Sequence, residues 1–282
     1  MAILTVARQL ESGGRDLGRE IADRMGYELI NRRRIFEEMR SVGEQWEEWA
    51  RYFKEQAPNV WERHDWSYQG FIALTHSYVL SHALRDKVVI MGREGNFLLK
   101  KIPYALRIRT EAPLPYRIER VLRRESISRE MAQSMLEKVD DDMARSVYLV
   151  YGKDWADPSE YDHVFDMSRQ PFEEVVAIVQ EALLKKERFY TKEAREILQL
   201  RALAARIKAE LVVDPTFSIS KLDVTPKEEG LVEYGLVVQG IVYNREDIKR
   251  IQEEAQKLAK GTPIEVDINY RIPPRLSHWQ YK

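Results

Sequence analysis

The chain opens with a short apolar run, Ile3-Leu4-Thr5-Val6-Ala7, which gives way to a polar turn, Glu11-Ser12-Gly13-Gly14. From about Asp16 to Met25 the period changes. Leu17, Ile21, Ala22 and Met25 fall at i, i+4, i+5 and i+8, one face of a helix. Gly26 supplies a stop, and Tyr27 to Ile30 predicts a second short strand. Strand, tight turn, helix, strand is a βαβ opening. Arg33 to Arg85 reads as a mostly helical insertion carrying Trp46, Trp49, Trp61 and Trp66, with a break at Pro58-Asn59. Further strands are predicted at Lys87 to Gly92, Ala105 to Arg109 and Tyr161 to Asp166. Helices are predicted at Pro115 to Arg124, Ser128 to Val150 and Phe172 to Lys186. Strands that alternate with helices imply a parallel sheet covered on both faces.

Beyond Leu184 the pattern changes. Lys185 to Arg201 is charged and helical and reads as a connector. It is followed by a helix (Leu200 to Leu211), a strand (Ser218 to Thr225), a turn (Glu228-Glu229-Gly230) and a strand (Leu231 to Val242). A helix between Asn244 and Gly261 and a last strand, Ile264 to Tyr270, complete an α-β-β-α-β module. The expected architecture is an α/β domain, a three-layer parallel sheet with a helical insertion, plus a small C-terminal α+β domain. Its boundaries are 1–186 for the first domain, 187–199 for the connector, 200–272 for the module and 273–282 for a tail.

Composition narrows the function. Hydrophobic residues make up 44% of the 282 positions, enough for a substantial core, and the formal net charge is only −1. That charge does not suit a general nucleic-acid binder. With no cysteine, disulfides, thiolate metal sites and a cysteine nucleophile are excluded. The five histidines show no i, i+4 pair with carboxylate support, so no protein-held metal is expected. No apolar run approaches the roughly 20 residues that span a bilayer. The first residues lack the pattern of a signal peptide, so a cytoplasmic protein is expected.

The turn after the first strand is the place to look for chemistry. A Walker A loop, G-x-x-x-x-G-K-[ST], turns backbone N–H groups and a helix N-terminus toward phosphate. In Arg8-Gln9-Leu10-Glu11-Ser12-Gly13-Gly14-Arg15 the setting is present and the full motif is not. Gly13 falls at the second glycine, Arg8 at the first, Gly14 at the lysine and Arg15 at the hydroxyl position.

The wider pattern resembles the cytidylate-kinase-like family, whose members open with a strand and an S-R-x-x-G-S-G-G-R-type loop. Val89-Ile90-Met91-Gly92-Arg93-Glu94-Gly95-Asn96-Phe97 resembles that family's V-I-x-G-R-G-x-N-F segment. Arg117, Arg120, Arg123 and Arg124 give a lid-like arginine series, and Asp142-x-x-Arg145-x-x-Tyr148 through Tyr161-Asp162 and Ser168-Arg169 continues the likeness over about residues 1–183. The resemblance implies a P-loop nucleoside-monophosphate-kinase fold that binds ATP, with Mg²⁺ bridging the phosphates, and a small nucleotide acceptor under the insertion. It assigns Arg8, Ser12, Gly13, Gly14 and Arg15 to the phosphate loop. It makes Arg15, Arg93, Arg120, Arg124 and Arg145 candidates for charge stabilisation, with Asp142 orienting the arginines.

Three departures complicate this. Gly14 replaces the lysine, with Arg8 or Arg15 left to supply its charge. Glu11 stands where the family has glycine, and a carboxylate about 4 Å from a phosphate charge costs about 4 kcal/mol at an effective dielectric of about 20, unless it turns away or acts through magnesium. Asn31-Arg32-Arg33-Arg34-Ile35-Phe36-Glu37 replaces the family's D-S-G-x-x-Y-R acceptor run, so CMP itself is in doubt. Arg32 to Arg34 either hold a different anion or only start a helix. The C-terminal module resembles a BON domain, on Leu236-Val237-Val238-Gln239-Gly240-Ile241-Val242, the Asn244–Gly261 helix and Thr262-Pro263-Ile264-Glu265-Val266. It implies a homo-oligomer or a protein partner, without catalytic residues. Phosphoryl transfer is therefore expected. An inactive nucleotide or anion sensor that signals through the module is the alternative, and a structural partner protein a third reading.

Overall fold

The protein was analysed as a computed structural model, which describes residues 1–55, 62–92, 94–229 and 232–272. Five strands, β1 (Ile3–Arg8), β2 (Glu28–Ile30), β3 (Val88–Met91), β4 (Ala105–Glu111) and β5 (His163–Asp166), form one sheet in the order β2-β3-β1-β4-β5. Every neighbouring pair in it is parallel. Successive residues of β1 and β3 alternate between two apolar clusters. Ile3, Val88 and Ile90 face one and Leu4, Val89 and Met91 the other. Burial on both faces explains why these strands read as unbroken apolar runs.

One face is covered by α1 (Gly14–Met25) and α8 (Phe172–Glu187). The other carries α2 (Arg32–Met39), α3 (Glu44–Glu55), α4 (Trp66–Ala83) and the short α5 (Gly95–Leu98). Helix α4 is apolar around most of its circumference because it is wrapped by α2, α3, the sheet and the C-terminal module. Trp46, 1% exposed, lies over Trp66 at 4.8 Å between ring centroids, and Trp66 Nε1 donates to the Val212 carbonyl at 2.5 Å. Trp46 is thus a core residue, Trp49 packs partly buried against the core, and Trp66 lies at its edge, 38% exposed. Trp61, Pro58 and Asn59 lie outside the described residues. Helices α6 (Leu114–Leu122) and α7 (Arg129–Tyr151) form a hairpin beside β4 with its own small core, Ile118, Val121, Ala132 and Leu136.

The C-terminal module consists of α9 (Lys192–Val213), β6 (Ile219–Glu229), β7 (Val232–Val242), α10 (Glu246–Ala259) and β8 (Ile264–Tyr270). Its sheet runs β6-β7-β8, with the first pair antiparallel and the second parallel. Two expectations change here. The charged stretch from Lys185 is not one connecting helix. Helix α8 ends at Glu187, Thr191 caps α9 by accepting from Ala194 N at 3.2 Å, and α9 then runs unbroken into the module. The predicted turn at Glu228-Glu229 belongs to β6, and Gly230 lies outside the described residues. The module also shares its core with the insertion, since Leu198, Ala202, Ala209 and Val212 of α9 belong to the same cluster as Phe71, Leu74 and Val79 of α4.

Candidate active site

All five parallel strands end on the same side of the sheet. The chain leaves β1 toward β2 on one flank and returns through β3 to β4 on the other, so the crevice lies at the end of β1, where the strand order reverses. The loop Arg8–Arg15 fills that position. Glu11 and Gly13 take left-handed φ values of 59° and 94°. Ser12 is fully buried, and its hydroxyl donates to the Gln9 carbonyl at 2.9 Å and meets Thr110 Oγ1 at 2.9 Å. It therefore shapes the loop. The amides of Gly13, Gly14 and Arg15 have no acceptor among the described residues, which leaves three donors at the positive end of α1.

Gly14 is dictated by space. A Cβ there would lie 2.2 Å from Thr110 Oγ1 and 2.9 Å from Arg8 Cβ. No lysine fits, and the Arg8 side chain runs through the space beside it, to within 3.1 Å of where Gly92 would carry a Cβ. Burial, reinforced by the charges of Arg32 and Arg15, brings the Arg8 pKa down to about 10, so it stays cationic at neutral pH. Arg8, Arg15 and Arg32 have no ion-pair partner among the described residues; Arg15 is exposed.

Glu11 turns away from the phosphate position. Its carboxylate accepts from Arg124 Nη1 at 3.1 Å and lies 3.6 Å from Arg120 Nε, and Arg120 also bonds Asp16 at 2.9 Å. Helix α6, through Arg120, and the turn after it, through Arg124, are latched to the loop by these pairs. A second tie is deeper. The buried Arg117 donates to the Ala112 carbonyl at 3.1 Å and to Asp140 at 2.7 Å, and Gln9 accepts from Ala112 N at 3.1 Å.

The predicted set is only partly assembled. Arg8, Ser12, Gly13, Gly14, Arg15, Arg120 and Arg124 meet at the loop. Arg145 is exposed on α7, and neither it nor Asp142 makes an ion pair among the described residues. The carboxylate that reaches the lid is Asp140. Positions 132, 136 and 140 share one helical face, and Ala132 and Leu136 pack on α6 along it, which leaves 142 and 145 pointing elsewhere. That i, i+4 series was the available signal. Arg93 lies outside the described residues.

Of the three arginines opening α2, Arg33 pairs with Glu37 at 2.7 Å, and Arg34 pairs with Glu28 at 2.5 Å and Glu38 at 3.4 Å. Asn31 caps the helix by accepting from Arg34 N at 3.1 Å. Arg32 remains, partly buried, with its guanidinium 6.0 Å from the Phe36 ring centroid. These groups suit phosphates. They do not suit a protein-held magnesium, because Arg15 replaces the hydroxyl that would ligate it and Asp16 is engaged by Arg120. No cluster of three or more side chains able to hold a metal occurs among the described residues.

Residues 3–169 match the sequence profile of the cytidylate kinase-like family. The chain belongs to that family. A cytidylate kinase from Pyrococcus abyssi is 30% identical over 182 residues, covering 64% of this chain and 93% of the relative. One from Pyrococcus horikoshii is 29% identical over 182 residues, covering 64% and 88%. Among solved structures, an uncharacterized protein from Eubacterium ventriosum aligns with a TM-score of 0.50 at 15% identity, covering 65% of this chain and 98% of that one, a likeness of fold. The family match ends before α8, so the module lies outside it. No helix among the described residues is long and apolar enough to cross a membrane.

Proposed function

We propose that this chain is an ATP-dependent phosphotransferase acting on a small phosphate-bearing acceptor, in which Arg8 supplies the charge of the missing loop lysine. The observation that carries the reading is the packing of Arg8 against Gly14, beside three unpartnered amides. Those amides would hold the phosphates of a nucleotide, and Arg8 would lie along their inner side. Arg120 and Arg124 would swing from Glu11 onto the transferring group as the lid closes, where fixed cations favour the charge that develops. Magnesium, carried in on the nucleotide, would offset phosphate charge and be held by phosphate oxygens and water. The chain's own contribution is positioning and electrostatics.

Support for a kinase comes from the family and its cytidylate kinase relatives. CMP remains one acceptor to test, because the family's acceptor run is altered at Asn31 and Glu37. A nucleotide or anion sensor is the second reading, favoured by Glu11 occupying both lid arginines. The α-β-β-α-β module is then a BON-like unit for self-association or a protein partner, in a cytoplasmic protein. The test is calorimetric titration with Mg-ATP of the wild type and Arg8→Ala, followed by product assay with CMP and other phosphomonoesters. Binding and turnover lost in Arg8→Ala support the kinase. Binding without turnover of any acceptor supports the sensor. Undiminished activity in Arg8→Ala removes Arg8 from the site.

A further inference from the structure

Three arginines follow β2, and the structure separates them. Arg33 and Arg34 are consumed by Glu37, Glu28 and Glu38, whereas Arg32 has no carboxylate partner among the described residues. Register then places Arg32 beside Arg8. Ile30 pairs with Ile90, and Met91 pairs with Val6. Arg32, Gly92 and Arg8 therefore follow the ends of three adjacent strands, and Gly92 lacks the side chain that would otherwise fill the space Arg8 enters. The Arg8 guanidinium lies over Gly92, and the charge of Arg32 acts on it from the start of α2; neither has a carboxylate partner among the described residues. Unpaired cations brought together and partly buried repel each other, and an anion between them removes that cost. Burial lowers the pKa of both groups, and for Arg8 the charge of Arg32 adds to the effect.

We propose that Arg8 and Arg32 form the acceptor subsite and bind a phosphate dianion, the head group of a phosphomonoester, across Gly92. This rests on the phosphotransferase reading for its catalytic meaning but not for its binding chemistry. Position 37, where the resembled kinases carry an arginine, provides no cation here, because it is a glutamate, paired with Arg33. The acceptor's anion is accordingly held on the β1 side of the crevice, against the first residue of α2. Arg8 then spans both substrates, with the loop on one side and the acceptor phosphate on the other, and sets the distance between them.

The test uses the full chain and inorganic phosphate as the probe, titrated with and without saturating Mg-ATP, followed by CMP. Arg32→Ala is expected to weaken phosphate binding at least tenfold and leave Mg-ATP affinity within twofold. Arg32→Lys should restore part of the loss. Arg33→Ala should leave phosphate binding unchanged. Because a monoester loses its second proton near pH 6, CMP affinity should rise between pH 5.5 and 7.5. Wild-type phosphate affinity in a folded Arg32→Ala protein, checked by circular dichroism, overturns the proposal. So does phosphate binding abolished by Mg-ATP, which would place the anion in the nucleotide loop. Phosphate binding that depends on Arg32 in a protein that binds no Mg-ATP keeps the subsite and removes the phosphotransferase reading.

Discussion

The Glu11 carboxylate is hydrogen-bonded by Arg124 at 3.1 Å, so an acidic residue in the loop between β1 and α1 is held by an arginine just beyond α6. Its φ of 59° lies in the region that glycine adopts freely and other residues enter at a cost of roughly 1 kcal/mol. The arginine contacts offset that cost, and under the proposed function Glu11 would compete with phosphate for Arg120 and Arg124.

Glu11→Gly should therefore raise Mg-ATP affinity at least tenfold, measured by calorimetry, and retain the loop conformation. An unchanged affinity would mean that the lid arginines take no part in nucleotide binding.

Restoring the lysine should fail. Gly14→Lys places a Cβ 2.2 Å from Thr110 Oγ1. Overpacking of this kind costs about 1–3 kcal/mol, so the urea midpoint should fall while nucleotide affinity does not rise. A tighter-binding Gly14→Lys protein of normal stability would show that the loop re-forms around a lysine.

Both positions were visible in the sequence as departures, but their consequences were not. Spacing put Gly14 at the lysine position, yet only the approach of Thr110 from β4 explains why no side chain fits. Glu11 threatened phosphate binding as long as its direction was unknown, and that direction is set by α6, more than a hundred residues away. Period alone did locate β1, α1, β3 and β8. The family resemblance, not period, pointed to Asp142 as the acid orienting the arginines; the acid that reaches α6 is Asp140, and Asp140, Asp141 and Asp142 are chemically equivalent until Ala132 and Leu136 define the packed face. The tryptophans of the insertion suggested a structural partner protein, whereas packing makes Trp46 interior and leaves Trp66 half exposed, its indole N–H bonded to the Val212 carbonyl of α9.

Gly70 tests that packing. A Cβ there would sit 2.2 Å from Cη2 of Trp46. Gly70→Ala should lower stability by about 1–3 kcal/mol by forcing the indole off its rotamer. A melting temperature equal to the wild type's would show that Trp46 has room to move.

His76 gives a pH dependence. Its Nε2 meets Tyr151 OH at 2.9 Å, and Lys208 and Asp223 lie nearby. Burial, with a smaller push from Lys208 against Asp223, brings its pKa down from 6.5 to about 3. The unfolded chain therefore takes up this proton first. The stability contributed is complete above about pH 6.5 and falls toward pH 3, by at most about 1.4 kcal/mol per unit, an upper bound because the ring keeps some solvent contact. His76→Gln should lose less stability between pH 7 and 5 than the wild type in denaturant titrations. Parallel slopes would mean that the imidazole protonates freely in the folded state.

The apolar cluster that α4 and α9 share also has a consequence during synthesis. The ribosome releases α4 long before α9, and until α9 arrives the apolar flank of α4 that α9 buries has nothing to cover it. The kinase-like portion therefore cannot reach its final state as its own strands are completed. It must wait for α9, exposed to aggregation or chaperone capture in the interval. Any change that slows or shortens the emergence of α9 is then felt first at α4, in the insertion that roofs the candidate acceptor crevice, and only afterwards in the module that α9 nominally begins.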